Sequence, residues 1–378
     1  MTASTQKVHI VAFRVDASLE IGTGHVMRCL TVAKTLQSAG AQCYFLSREH
    51  LGHLCDLIEE HGFFTYRLPT PGLTDRATTS GREGPTHARW LGTTWEQDAV
   101  HCRSILTELS PDWLVVDHYA LDVRWEAAVL PLQSRLFIID DLADRPHCAD
   151  LLLDQNLGRR AADYSRLLMK DCQLLVGPAF ALLRSEFSEL RKFSLARRNR
   201  ETRLKRLLIT MGGVDKDNVT GLVIDALKFC KLPDDIEITV VLGATAPWLK
   251  EVNASADQLP WSINVVSNVP DMARRMAEAD LAIGAAGSTS WERCCLGLPT
   301  LMLVLAENQR PIARALNAAG AAISLSTTDR LFYELPDCLY KVQAPGVLSK
   351  MSSLSAKLTD GEGVKKLFHI MQQENSLT

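Results

Sequence analysis

The chain has 378 residues, 47% hydrophobic and 22% charged, with 41 basic against 44 acidic side chains. That length exceeds one ordinary core and implies two domains, and the near-balanced charge gives no electrostatic reason to expect nucleic acid or an anionic membrane as partner. No apolar run reaches the roughly 18–20 residues of a membrane span, and the ten cysteines contain no Cys-x-x-Cys pair, which argues for reduced, structural thiols over a zinc ribbon or dithiol redox centre.

Residues 1–7 are polar and short, without the character of a signal peptide, so the cytoplasm is the expected compartment. Residues 8–15 are rich in β-branched side chains and read as a strand. The loop Gly22-Thr23-Gly24-His25 follows, and then a stretch in which Val26, Met27, Leu30, Ala33 and Leu36 share a helical face. Gly40 stops that helix and residues 42–46 resume as a strand, completing a βαβ unit and implying a parallel sheet covered on both faces. Residues 69–84 break the rhythm with glycine, proline and threonine and read as a long surface loop or lid. Residues 113–116 and 136–139 read as short apolar strands that end in Asp117 and in Asp140-Asp141, at the sheet edge where open α/β sheets bind ligands.

The basic stretch between Arg184 and Arg206 reads as a solvated helix and linker. A second α/β series follows: strands at 207–210, 237–242, 281–284 and 301–305, helices at 218–229 and 289–296, a Gly212-Gly213 turn, and a small-residue loop at 285–288. The expected organisation is a Rossmann-like domain over residues 1–185, a linker over 186–206, a second Rossmann-like domain over 207–325 and a helical tail over 326–378. The fold class is α/β with two parallel sheets.

Gly22 and Gly24 stand where a first strand meets its helix, so that backbone can approach a phosphate. The third glycine of the dinucleotide fingerprint is missing, with His25 and Met27 where the helix should approach the strand, so NAD or FAD is not expected as a cofactor. His25 has two readings: a general base at a helix N-terminus, or a side chain that caps the first turn. Gly287, Ser288 and Thr289 form a second candidate anion loop, with Ser288 or Ser290 as a plain N-cap the alternative. Glu292 in the following turn suits either the vicinal hydroxyls of a ribose or the helix dipole. Asn308 and Gln309 offer amides to a sugar or phosphate. Asp117 and His118 with Asp140, Asp141 and Asp144 are a weak metal candidate, with capping favoured, and Asp215-Lys216-Asp217 fits a helix N-cap better than a metal clamp. No metal is expected.

Several segments in order resemble the UDP-2,4-diacetamido-2,4,6-trideoxy-β-L-altropyranose hydrolases of pseudaminic acid biosynthesis. They are RVDAS at 14–18, IGTGHVMR at 21–28, VDHY at 116–119, IDDLADRP at 139–146, LDQN at 153–156, Gly177-Pro178, MGGVD at 211–215, GSTSWER at 287–293 and Asn308-Gln309. The resemblance implies a GT-B architecture of two Rossmann-like domains with the active site in the interdomain cleft, and a metal-independent hydrolysis of a UDP-sugar at its anomeric carbon with inversion. It implies His25 as catalytic base, Tyr119 and Asn308 at the sugar, and residues 287–292 on the UDP with Glu292 at the ribose. Asp16 and Gln309 are carried into the same substrate-binding set. The expected partner is the small-molecule UDP-sugar, with no nucleic acid, membrane or obligate protein partner. An inverting glycosyltransferase using a UDP-sugar donor is the alternative.

Overall fold

A computed structural model describes residues 9–70, 84–200, 203–213, 215–243, 246–326 and 328–375. The expectations for residues 1–7 and for most of the 69–84 loop lie outside the described residues. The chain divides into two compact units, one made of Met1–Leu182 with Val364–Thr378 and the other of Leu183–Gly363.

In the first unit the strands are β1 (Ile10–Val15), β2 (Gln42–Arg48), β3 (Phe64–Leu68), β4 (Trp113–Asp117), β5 (Arg135–Ile139), β6 (Leu151–Asp154) and β7 (Gln173–Val176). They form one sheet in the order β3-β2-β1-β4-β5-β6-β7, with every pairing parallel. Its helices are α1 (Gly24–Ser38), α2 (Cys55–Glu60), α3 (Trp95–Leu109) and α4 (Val123–Val129). A sheet buried on both faces needs apolar residues at consecutive positions, and alternation then deals them to opposite sides. Val11, Phe13, Val15, Val115, Phe137 and Ile139 pack with Val26, Leu30 and Ala33 of α1 on one side. Ala12, Leu114, Val116, Leu136 and Ile138 pack with Ala99, Cys102 and Leu106 of α3 and with Trp125 and Val129 of α4 on the other.

The exception within β1 is Arg14, fully buried among apolar neighbours. Its guanidinium donates to Asp16 at 2.6 and 2.9 Å and to Asp98 at 3.2 and 2.7 Å, and Trp125 Nε1 donates to Asp98 at 2.9 Å. A buried cation is tolerated only when such partners satisfy it.

In the second unit, α5 (Ser185–Arg200) leads into β8 (Arg206–Thr210), α6 (Val219–Leu227), β9 (Glu237–Leu242), α7 (Leu249–Ala256), β10 (Ser262–Ser267) and α8 (Met272–Glu278). Then come β11 (Leu281–Ala285), α9 (Thr289–Cys295), β12 (Thr300–Leu303), α10 (Arg310–Ala318), β13 (Ala322–Ser324), α11 (Leu331–Val342) and α12 (Val347–Ala356), whereas the last helix, α13 (Gly363–Asn375), belongs to the first unit from Val364 on. The sheet order is β10-β9-β8-β11-β12-β13, again all parallel. Both units are therefore doubly wound Rossmann-like layers.

The stretch expected as a solvated helix and linker is a helix, but its basic residues are not all solvated. Helix α5 runs through it, and Arg198 is buried, donating to Leu296 O at 3.1 Å, Ala279 O at 2.6 Å and Met276 O at 2.8 Å. Its basic residues thus cap carbonyls at the ends of neighbouring helices, a role that a low apolar content conceals. The expected tail also separates. Helices α11 and α12 supply Leu331, Leu335, Leu339 and Met351 to the second core, whereas Val364, Leu367 and Met371 of α13 complete the first.

Candidate active site

Ligands of open parallel sheets bind at strand carboxyl ends, where the strand order reverses. In the first unit that point lies between β1 and β4, which register Val15 against Asp117. The loop after β1 turns tightly. Gly22 adopts a φ of 80°, which favours glycine, and its N–H donates to Ser18 O at 2.8 Å. Gly24 opens α1, whose N-cap Thr23 makes no side-chain cap bond.

His25 therefore reaches the strand ends from the first turn of α1. Its Nδ1 lies 2.6 Å from Asp117 Oδ1, so the imidazole pairs with a carboxylate and does not cap the helix. Asp117 is held in turn by Arg28, one turn along α1, through Nε at 2.6 Å and Nη2 at 2.6 Å. Burial works against the charged form of Asp117, but the Arg28 guanidinium, with His25 adding to it, outweighs that cost and holds the carboxyl below its ordinary range. An ionised Asp117 accepting from Nδ1–H fixes the tautomer in which Nε2 carries the lone pair.

Arg28 Nη1 extends the network to Asp141 Oδ2 at 2.7 Å, and Tyr119 donates its hydroxyl to the same oxygen at 2.6 Å. Burial first, and then the Asp141 charge, raise the Tyr119 phenol, so it stays protonated. The Tyr119 ring lies edge-on to His25 at 4.6 Å and stacks on Trp90 at 5.7 Å. The aspartates weighed as a metal site hold guanidinium groups instead: Arg28 on Asp117 and Asp141, and Arg145 on Asp140 at 2.8 Å and on Asp144 at 3.0 Å.

Asp16 sits apart from this arrangement in function. It is fully buried, with Arg14 on both oxygens, Arg48 N donating to Oδ1 at 2.7 Å and His118 Nε2 at 3.1 Å from Oδ2. These partners make Asp16 a buried brace beneath the β1 loop.

In the second unit the order reverses between β8 and β11. Gly284 and Thr210 pair there, and the loop to α9 carries Gly287, Ser288 and Thr289, all partly or fully exposed. Ser288 is the N-cap residue but makes no side-chain cap bond, so it does not occupy the first-turn N–H groups as a serine cap does. Glu292 is partly exposed, and its nearest ion-pair partner, Arg184 Nη2, is 3.8 Å from Oε1. Burial, opposed by Arg184, raises its carboxyl above the ordinary value.

Gln309 Oε1 accepts from Leu305 N at 2.9 Å, and its Nε2 lies 3.9 Å from where a Cβ on Gly287 would stand, so the amide flanks the loop. Asn308 shares the short 3₁₀ turn Glu307–Gln309 and is half-buried. Asp215 receives Val219 N at 2.8 Å and Thr220 N at 2.9 Å, while Asn218 Oδ1 receives Gly221 N at 3.1 Å. The Asp215-Lys216-Asp217 stretch thus caps α6, as its spacing suggests.

Arg28, Arg184 and Arg293 were not singled out from sequence as site residues, and Asp141 was singled out only among the candidate metal ligands. For Arg28 the available signal was its position one helical turn after His25, which puts both side chains on one face of α1.

Residues 206–367 match the Glycosyltransferase family 28 C-terminal domain. A UDP-2,4-diacetamido-2,4,6-trideoxy-beta-L-altropyranose hydrolase of Campylobacter jejuni is 25% identical over 311 residues, covering 82% of this chain and 97% of that protein. An uncharacterised protein of Methanocaldococcus jannaschii is also 25% identical, over 79% of this chain, which spans 56% of that protein's length. Among solved structures, Acinetobacter baumannii MurG superposes with a TM-score of 0.66 at 18% identity, over 97% of this chain and 100% of its own. The fold is the GT-B architecture of two Rossmann-like units.

Proposed function

We propose that this protein hydrolyses UDP-2,4-diacetamido-2,4,6-trideoxy-β-L-altropyranose at the anomeric carbon with inversion, releasing UDP and 2,4-diacetamido-2,4,6-trideoxy-L-altrose for pseudaminic acid biosynthesis. The single observation that carries the reading is the 2.6 Å contact between His25 Nδ1 and the buried, arginine-braced Asp117. It leaves Nε2 as a base at the carboxyl edge of the first sheet.

In this mechanism Nε2 takes a proton from a water molecule as the water oxygen attacks the anomeric carbon from the face opposite the nucleotide. The glycosidic C–O bond breaks and UDP leaves with the electron pair. His25, then an imidazolium held by Asp117, returns its proton to solvent. Tyr119 presents a ring whose hydroxyl is tied to Asp141, which suits it to orienting the sugar rather than donating a proton. In the second unit the Gly287, Ser288 and Thr289 backbone takes the diphosphate, Glu292 the ribose hydroxyls, and Asn308 and Gln309 the sugar end. Gly22 and Gly24 allow close backbone approach, and no metal takes part in this scheme.

The match to a glycosyltransferase family 28 domain favours a second reading, transfer of the sugar to an acceptor by the same base. Incubation with the nucleotide sugar alone, followed by proton NMR, separates the two. Release of UDP and the free sugar of inverted configuration is the expected result. An intact donor that is consumed only when an acceptor hydroxyl is added would replace hydrolysis with transfer.

A further inference from the structure

Arg293 follows Glu292 on α9 and is buried, at 1% exposure. Its Nη2 donates to Ala285 O at 2.6 Å and to Ser290 Oγ at 3.1 Å, bracing both ends of the loop that holds Gly287, Ser288 and Thr289. Its Nε and Nη1 have no hydrogen-bond partner, and among the described residues no carboxylate stands within ion-pair distance of it. Nη1 lies against Gly284 so closely that a Cβ added there would stand 2.4 Å from it and 2.7 Å from Thr210 O. The other buried guanidinium groups near strand ends, Arg14, Arg28 and Arg145, are each matched by aspartates. Burial, opposed by Cys294 and Glu292, lowers the Arg293 guanidinium to about 10, still protonated at neutral pH.

A buried cation without a protein anion is costly, and that cost falls when an anionic ligand completes the pair. The glycine at 284 keeps the guanidinium close under the strand end, and the braced loop in front of it carries the exposed Ser288. We propose that Arg293 is the fixed counter-charge for the diphosphate of the nucleotide, acting through the loop rather than by direct contact. It is a positioning and electrostatic residue that supports the bound substrate and the departing UDP. The inference rests on the nucleotide reading given above for the second unit.

The test is titration of wild type, Arg293→Met, Arg293→Gln and Arg293→Lys with UDP by calorimetry and with uncharged uridine by ligand-observed NMR. Removing one low-dielectric charge weakens UDP on the order of 10- to 100-fold. The two neutral variants are expected to show that loss while uridine binding stays within about threefold and Arg293→Lys keeps most of the UDP affinity. A neutral variant that binds UDP as wild type does overturns the proposal. So does an equal loss of UDP and uridine, which would mark a purely structural brace. Should Arg293→Met not fold, as judged by circular dichroism, Arg293→Gln carries the same comparison. Wild type that binds uridine and UDP equally defeats the counter-charge and leaves the nucleotide site standing, whereas wild type that binds neither defeats the nucleotide reading itself.

Discussion

Replacing Asp117 with asparagine changes one atom and tests the proposed base directly. In the structure Oδ1 faces His25 Nδ1 and Arg28 Nη2, and Oδ2 faces Arg28 Nε. An asparagine has one acceptor for those three groups. With its NH₂ toward Arg28 Nε, two donors oppose each other in a buried site. With its NH₂ toward His25, Nδ1 must become the acceptor, the proton moves to Nε2, and the base is lost. The second arrangement also sets the NH₂ against Arg28 Nη2, so either orientation opposes one Arg28 donor, and in both the imidazolium loses the carboxylate charge that holds it. A wrong tautomer in a comparable histidine–aspartate pair lowers kcat by about 10⁴, so a drop of about 10³ to 10⁴ is expected, or about 4–5 kcal/mol of barrier. The assay is steady-state UDP release from the nucleotide sugar, with UDP affinity and the circular dichroism spectrum as controls. Activity within tenfold of wild type in a folded Asp117→Asn protein would refute the reasoning.

Three further outcomes are expected. Glu292→Gln should weaken UDP more than 2′-deoxy-UDP and flatten the pH dependence of UDP affinity; in wild type the ribose term is present above the raised Glu292 pKa and lost as pH falls through it, and equal weakening of the two nucleotides would count against the ribose assignment. Gly284→Ala should lower stability by about 1–3 kcal/mol, because its Cβ meets Arg293 Nη1 at 2.4 Å and Thr210 O at 2.7 Å; denaturant titration checks this, and an unchanged midpoint would mean the loop shifts freely. Asp215→Ala removes the acceptor of Val219 N and Thr220 N and should cost about 0.5–2 kcal/mol in the same titration with kcat unchanged, whereas a selective loss of activity would reopen the clamp reading.

The alternating units and both glycine loops were legible because strand, small-residue turn and helix follow one another locally, as in Val15 to Met27 and Leu281 to Cys295. The partner of His25 was not. Asp117 lies 92 residues away, and only the adjacency of β1 and β4 in the sheet order brings the two together. The partners of Asp16 were hidden for the same reason, since Arg14, Arg48 and His118 come from β1, β2 and the end of β4. The tail past residue 325 resisted reading because its apolar helices face two different cores, which no periodicity distinguishes.

The return of α13 to the first core has a bearing on biosynthesis. Val364, Leu367 and Met371 emerge from the ribosome after the whole of the second unit, so the first unit holds an apolar furrow open for most of translation. The half that starts first therefore finishes last. A fragment ending near Leu182 lacks the helix that seals it, and expressing residues 1–182 alone should give an aggregation-prone product unless the α13 peptide is supplied alongside.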